Sequence, residues 1–313
     1  MRKLACVSVN LDGLAHYCRV HGLDERNLPP AGPSAVGRRA VERFADLLDR
    51  RHLPGTFFAV GEDLEDGPTA MAVAEASRLG HEIGNHSHTH DFAVSRRSEA
   101  EVAGELSRAA DAIEGICGRR PVGYRAPGYA MSGTVLRVLE DQGYLYDSSV
   151  FPSGPYYLAK ELVVLGLAKL GRSSASIRDR PAVLLAPREP YRPDARDPYR
   201  RGSAKLVELP VATVPVSRMP FIGTFLVSLP KAVVASFYRA IRGRSFLNLQ
   251  FHGIDLLDET DGASRELARA QRDLAIPAGV KRQRLAELLE WVRNDFEVVT
   301  LEEAAKRLAP DLR

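Results

Sequence analysis

The chain has 313 residues, 45% of them hydrophobic and 27% charged, with 43 Lys and Arg against 40 Asp and Glu. A formal net charge of +3, with no basic run interleaved with aromatics, argues against a nucleic-acid partner, and no stretch approaches the roughly 20 apolar residues that cross a bilayer. Three cysteines (Cys6, Cys18 and Cys117) form no paired spacing and read as reduced thiols, not a disulfide framework.

The first apolar run passes directly into Asn10-Leu11-Asp12-Gly13. It is too short for an export signal and reads as a buried strand over 4–11, so a cytoplasmic location is expected, including the inner face of the membrane. Residues 14–33 fall between that strand and the first helix and end in loop chemistry, Leu28-Pro29-Pro30-Ala31-Gly32-Pro33. Helical patterns over 35–51, 70–79, 99–116 and 133–142 alternate with strand patterns over 56–60, 82–85, 122–124 and 145–146. An insertion over 153–203 follows. It opens with an apolar segment, 156–170, and passes into the Arg-, Pro- and Asp-rich residues 188–201. So much irregular chain predicts a binding lid, a membrane-facing segment or a disordered loop. Strands over 206–209, 246–251 and 296–300 complete the series, with an apolar segment over 219–238 and a helix over 281–294 between them. The alternation predicts an α/β fold, a distorted (β/α) barrel of seven or eight strands forming one domain over 1–313 with rim insertions. Polar residues gather at the predicted strand ends, where barrels build their sites.

The densest chemistry is His81-Glu82-Ile83-Gly84-Asn85-His86-Ser87-His88-Thr89-His90. A strand ends at Asn85, and His86 and His90, four apart, share a face if the chain turns into a helix. Two imidazoles so placed suit Zn²⁺ or a similar divalent ion. A carboxylate at a neighbouring strand end would complete the set, and Asp12 occupies such a position. The alternative at this point is a polar surface turn with three solvated histidines.

Five elements taken together resemble the NodB-homology polysaccharide deacetylases, carbohydrate esterase family 4. His86-Ser87-x-x-His90 is similar to the family's second motif, and Gly55-Thr56-Phe57-Phe58-Ala59-Val60-Gly61 to the strand between its first two. Tyr124-Arg125-Ala126-Pro127-Gly128-Tyr129 resembles its Arg-x-Pro motif, Tyr146-Asp147-Ser148-Ser149 its Asp-Ser motif, and Leu249-Gln250-Phe251-His252 its closing Leu-x-x-His. They occur in the family's order.

The resemblance implies a NodB-like barrel and one divalent ion on Asp12, His86 and His90: Zn²⁺, with Co²⁺, Ni²⁺ or Fe²⁺ as alternatives. It implies that His252 is the general acid, oriented by Asp147, and that Arg125 holds the carboxylate of the base. The backbone near Tyr129 would help stabilise the oxyanion. The departure is at the first motif, where the closest form, Asp-x-Asp, makes Asn10 the counterpart of the base. An amide cannot take a proton from water at neutral pH. Three readings stand open: an engineered change that traps substrate, a natural loss of activity, or a carboxylate elsewhere, such as Asp255. His16, with Tyr17 and His21, reads either as a substrate contact at the rim or as solvated loop. Asp255 either lines the site or caps a turn.

The expected reaction is metal-dependent hydrolysis of an amide carbon–nitrogen bond, N-deacetylation or deformylation of an acylated amino sugar, with a lipid-linked sugar among the options. The alternatives are a carbohydrate-binding pseudoenzyme and a cyclic-amide hydrolase. The apolar segment 156–170, flanked by Lys160, Lys169 and Arg172, adds the expectation of peripheral contact with an anionic membrane; the competing reading is packing on the barrel or a dimer contact.

Overall fold

The computed structural model describes residues 3–169, 171–177 and 180–312. Eight strands form one parallel sheet: β1 (Leu4–Asn10), β2 (Thr56–Ala59), β3 (Glu82–Asn85), β4 (Gly123–Tyr124), β5 (Tyr146–Asp147), β6 (Val207–Glu208), β7 (Phe246–His252) and β8 (Glu297–Val298). Their order is β6-β5-β4-β3-β2-β1-β7. β1 is paired along both of its edges and all seven of its residues are buried, as in a strand covered on both faces. One edge of β1 pairs with β7 along its whole length. The other edge pairs with β8 at Leu4 and Ala5, then with β2 from Ser8 to Asn10.

The sheet curls into a half-barrel, and its two ends meet through hydrogen bonds outside the strand ladders. Asn248 Nδ2 donates to the Leu209 carbonyl at 3.0 Å, and Ala212 N–H donates to the Asn248 carbonyl at 3.0 Å. Helices cover the outside: α1 (Leu14–Val20), α2 (Val41–Asp49), α3 (Gly67–Arg78), α4 (Glu99–Cys117), α5 (Gly133–Asp141), α6 (Gly154–Lys169), α7 (Gly223–Ser228), α8 (Lys231–Ile241), α9 (Arg265–Ala270), α10 (Ala278–Asp295) and α11 (Leu301–Leu308). Local chemistry sets their ends. Ser98 and Glu101 form a capping box at the start of α4, and Gly118 closes that helix at φ 68°, a conformation glycine adopts without strain. Among the described residues, no helix is long and apolar enough to cross a membrane.

Three expectations are corrected. Residues 14–33 are not all loop: α1 forms because Leu14 and Cys18, one turn apart, both bury against the core, and a short 3-10 turn follows at Glu25–Asn27. The helix expected over 35–51 is a π-helical turn at Ala35–Ala40 running into α2. The Arg-, Pro- and Asp-rich part of the insertion is neither lid nor disordered loop. Tyr191 exchanges backbone hydrogen bonds with Glu208 at 3.2 and 2.8 Å, and Tyr191 and Tyr199 are buried. This segment covers the otherwise exposed edge of β6. The apolar start of the insertion is helical, as α6; Leu170 lies outside the described residues.

Candidate metal centre

The C-terminal ends of β1, β3, β4, β5 and β7 carry Asn10, Asn85, Arg125, Asp147 and His252 or lie directly before them. This is the rim where a parallel barrel collects its functional groups. Asp12 follows β1, and His86 follows β3.

Asp12 Oδ1 lies 3.0 Å from His86 Nε2 and 3.3 Å from His90 Nε2. These three groups are the candidate metal ligands found among the described residues. His86 and His90 do not share a helical face. They come together because residues 86–90 form a tight loop in which Ser87 and His90 take positive φ, 61° and 53°. Strain of that kind persists only when the surroundings hold it. Asn85 Oδ1 accepts from Ser87 N–H at 2.8 Å, while its Nδ2 donates to Leu106 O and Tyr144 Oη. Glu105 of α4 accepts from the N–H groups of His88 and Thr89 at 3.1 and 3.0 Å. Asn85 and Glu105 were missed in the sequence. The position of Asn85 at the strand end was an available signal; Glu105 had none.

The charge state of the cluster favours a cation. His86 Nδ1 lies 2.6 Å from the Arg125 carbonyl, which only accepts, so Nδ1 donates there and Nε2 is the ring atom turned towards Asp12. Asp12 Oδ1 and the Nε2 atoms of both histidines are buried without a hydrogen-bond partner. Burial works against ionisation of Asp12, yet His90 and His86 hold its carboxyl well below the usual range. Burial first, then the neighbouring His16, pushes His90 down to about 4 against the pull of Asp12. Electron-rich atoms converging in a dry site are stable with a cation between them, and two imidazoles with one carboxylate suit a divalent transition ion.

Asn10 stands beside this cluster, 2% exposed, with Oδ1 accepting from Arg125 Nη1 at 2.9 Å. Arg125 is fully buried and spends its other donors on Ser148 O, Ser148 Oγ and Ser8 Oγ. The guanidinium also lies 4.3 Å from the centre of the Phe58 ring. Asn248 ties Ser8 and Ser148 together, accepting from one hydroxyl and donating to the other. Ser8 and Asn248 were also not anticipated.

His252 faces the cluster from the opposite side. Its Nε2 lies 4.0 Å from Asp12 Oδ2 and 3.3 Å from Tyr129 Oη. Burial lowers its pKa, against the pull of Asp12. Asp147 does not orient it. That carboxyl accepts from Ser149 Oγ and pairs with Glu208, because the end of β5 directs it towards β6, while His252 Nδ1 has no hydrogen-bond partner. Asp255 is likewise not at the substrate face. Fully buried, it accepts from His252 N–H at 2.8 Å and Thr224 Oγ1 at 2.9 Å, capping the turn after β7. Burial, with Asp273 nearby, pushes its carboxyl up to about 7. His16 is buried in α1 rather than solvated. It packs on the His90 ring at 4.3 Å and places Nε2 3.5 Å from Asp63. With Tyr129, His16 borders the cavity above the cluster.

Residues 31–146 match the polysaccharide deacetylase family model. A peptidoglycan deacetylase of Helicobacter pylori is 26% identical over 159 residues, 50% of this chain and 53% of that protein. A peptidoglycan deacetylase-like protein of Gibberella zeae is 31% identical over 148 residues, 46% of this chain and 43% of its own length. The chain thus spans about half the length of the curated relatives it matches. A crystal structure from Mycobacterium smegmatis, assigned to the polysaccharide deacetylases, superposes with a TM-score of 0.62 at 20% identity, covering 100% of this chain and 92% of that one; at that identity the likeness concerns the fold. Over residues 31–146 the chain is thus similar to the polysaccharide deacetylases, and as a whole it shares the fold of a structure assigned to them.

Proposed function

We propose that the chain is a metal-dependent amide hydrolase that removes a short acyl group, acetyl or formyl, from the nitrogen of an amino sugar. The observation that carries this reading is the convergence of Asp12 Oδ1, His86 Nε2 and His90 Nε2, buried and without hydrogen-bond partners. Relatives named for peptidoglycan deacetylation support an acylated amino sugar as substrate.

Asp12, His86 and His90 would hold the ion, Zn²⁺ or one of Co²⁺, Ni²⁺ and Fe²⁺. Such an ion, when bound, supplies Lewis acidity towards an amide carbonyl and towards water. His252 lies across the site, where it can deliver a proton to the departing amine. Tyr129 Oη fixes the direction of its Nε2. Asn10 fills the place beside Arg125 where a base belongs, but its Oδ1 is already committed to the guanidinium and its amide has no useful basicity. Proton removal from water is therefore the weak step, and turnover is slow. Asn10 also favours a second reading, a sugar-binding protein that keeps the metal centre without turnover.

The test is direct. The purified chain, stripped and then dialysed against Zn²⁺, Co²⁺, Ni²⁺ or Fe²⁺, should take up one ion and release acetate slowly from N-acetylated amino-sugar oligomers in a metal-dependent way. Uptake without release, even after prolonged incubation, supports the sugar-binding reading; no uptake of any ion refutes both.

A further inference from the structure

The metal centre lies at the floor of a cavity of about 370 Å³, where Asn10, Asp12 and His252 come to its surface. Above that floor the wall surface is mostly apolar, from Phe92, Tyr129, Tyr156, Val163, Val164 and Phe225, with a minority of polar side chains that includes Lys160, Thr224 and Gln271. A bare pyranose would leave some of its hydroxyls against the apolar majority of this surface, a costly desolvation. A hydrocarbon chain would meet no such cost.

The outer end of the cavity is also apolar. Helix α6 forms part of its wall, and only Lys160, Glu161 and Lys169 among its sixteen residues are charged. Leu158, Leu162, Val163 and Leu165 are 64%, 63%, 41% and 43% exposed. Contiguous exposed aliphatic surface of this kind marks a binding face more often than a solvated one. Val163 belongs to both surfaces, so the cavity wall runs on into the outer face of the helix.

We infer that the site takes an amphiphilic substrate, an amide whose attached hydrocarbon chain lies along α6 while the carbonyl faces Asp12. This rests on the amide-hydrolase reading above and names its substrate class. The chain has two possible points of attachment, the acyl group or the far side of the sugar, and both present the same chemistry to the walls.

Two ligand series separate these sources: N-acylglucosamines from acetyl to octanoyl, and alkyl N-acetylglucosaminides from methyl to octyl. Calorimetric titration of the metal-loaded full chain, below the micellar range, should show the dissociation constant falling about three- to fourfold per added methylene in one series. The series that responds identifies the point of attachment. No dependence on chain length in either series overturns the inference. Val163→Asp, which sets a carboxylate into the wall, should flatten the responding series; an unchanged slope also overturns it. Carboxylate release from the same ligands by the Asn10→Asp variant keeps the two claims apart. A slope without release upholds the amphiphile and refutes the hydrolase, whereas release without a slope does the reverse.

Discussion

Arg125 Nη1 donates to Asn10 Oδ1 at 2.9 Å, so a fully buried guanidinium meets an amide where a carboxylate would neutralise it. Its other hydrogen-bond partners, Ser8 and Ser148, are neutral as well, and Asp147 and Glu208 act on it through space. Burial lowers the pKa of Arg125, as expected for a cation without an anion in contact.

Asn10→Asp should therefore stabilise the metal-loaded protein at neutral pH, by about 1.4 kcal/mol for each unit by which Arg125 lowers the new carboxyl's pKa. The new carboxyl would be held below its unfolded value of about 3.9 by Arg125. Its contribution should be present above that value and lost as pH falls through the lower folded value. Urea unfolding at pH 7 and at pH 3 measures both. A gain undiminished at pH 3 would show that ion pairing is not its source.

Metal affinity should follow the three converging side chains and no others. His86→Ala or His90→Ala should weaken Zn²⁺ binding by more than about 100-fold, beyond the usual cost of losing an outer-shell group. His88→Ala should change it by less than about threefold, because His88 is held through its backbone N–H by Glu105 and directs its ring at Gly61. Competition with a chromophoric chelator reads all three. Equal losses would return residues 86–90 to a generic polar turn.

Much of this was legible in the sequence, for identifiable reasons. Strand β1 with its Asp12 and β7 with His252 are largely apolar runs ending in polar residues, a pattern set by burial on both faces, whereas β3 (Glu82–Asn85) is marked by the histidines that follow it. Helix α1 was not legible, because seven residues with two buried apolar positions give too little periodicity. The loop at 86–90 was misread as helix because four-residue spacing is shared by a helix and by a strained turn. What selects the turn is Glu105, remote in sequence. The partner of Asp147 was also hidden, since the approach of Glu208 depends on how β5 and β6 pair.

Those two carboxyls give a prediction about pH. Burial first, then the charge of Asp147, holds Glu208 well above its usual range, and burial raises Asp147 as well. Glu208 Oε2 has no hydrogen-bond partner unless a proton lies between the pair. A carboxyl with a raised folded pKa contributes stability that is present below its unfolded value and lost as pH rises through the folded one. The wild-type chain should lose stability as pH rises out of the ordinary carboxylate range towards the raised folded value. Glu208→Gln, which can keep the bond from Val150 N–H and donate to Asp147, should flatten that loss. Parallel melting curves for the two forms would refute the shared proton.

His252 should act on turnover and not on metal content. In an Asn10→Asp background, His252→Ala should lower turnover by about 10²–10⁴-fold, the usual worth of a positioned acid, with the ion retained. A loss below about threefold would mean that another group protonates the amine. Loss of the ion would make His252 a ligand instead.

The central claim is that an amide-hydrolysing site is assembled around Asp12, His86 and His90 and is limited by the residue at position 10. Turnover and substrate affinity, measured side by side for the wild-type chain and Asn10→Asp on one acylated amino sugar, test it most directly. Turnover should rise by about two to four orders of magnitude in the variant, since a positioned base contributes that much, while the dissociation constant moves by less than about threefold because the cavity walls are untouched. Equal turnover in the two forms would contradict the account.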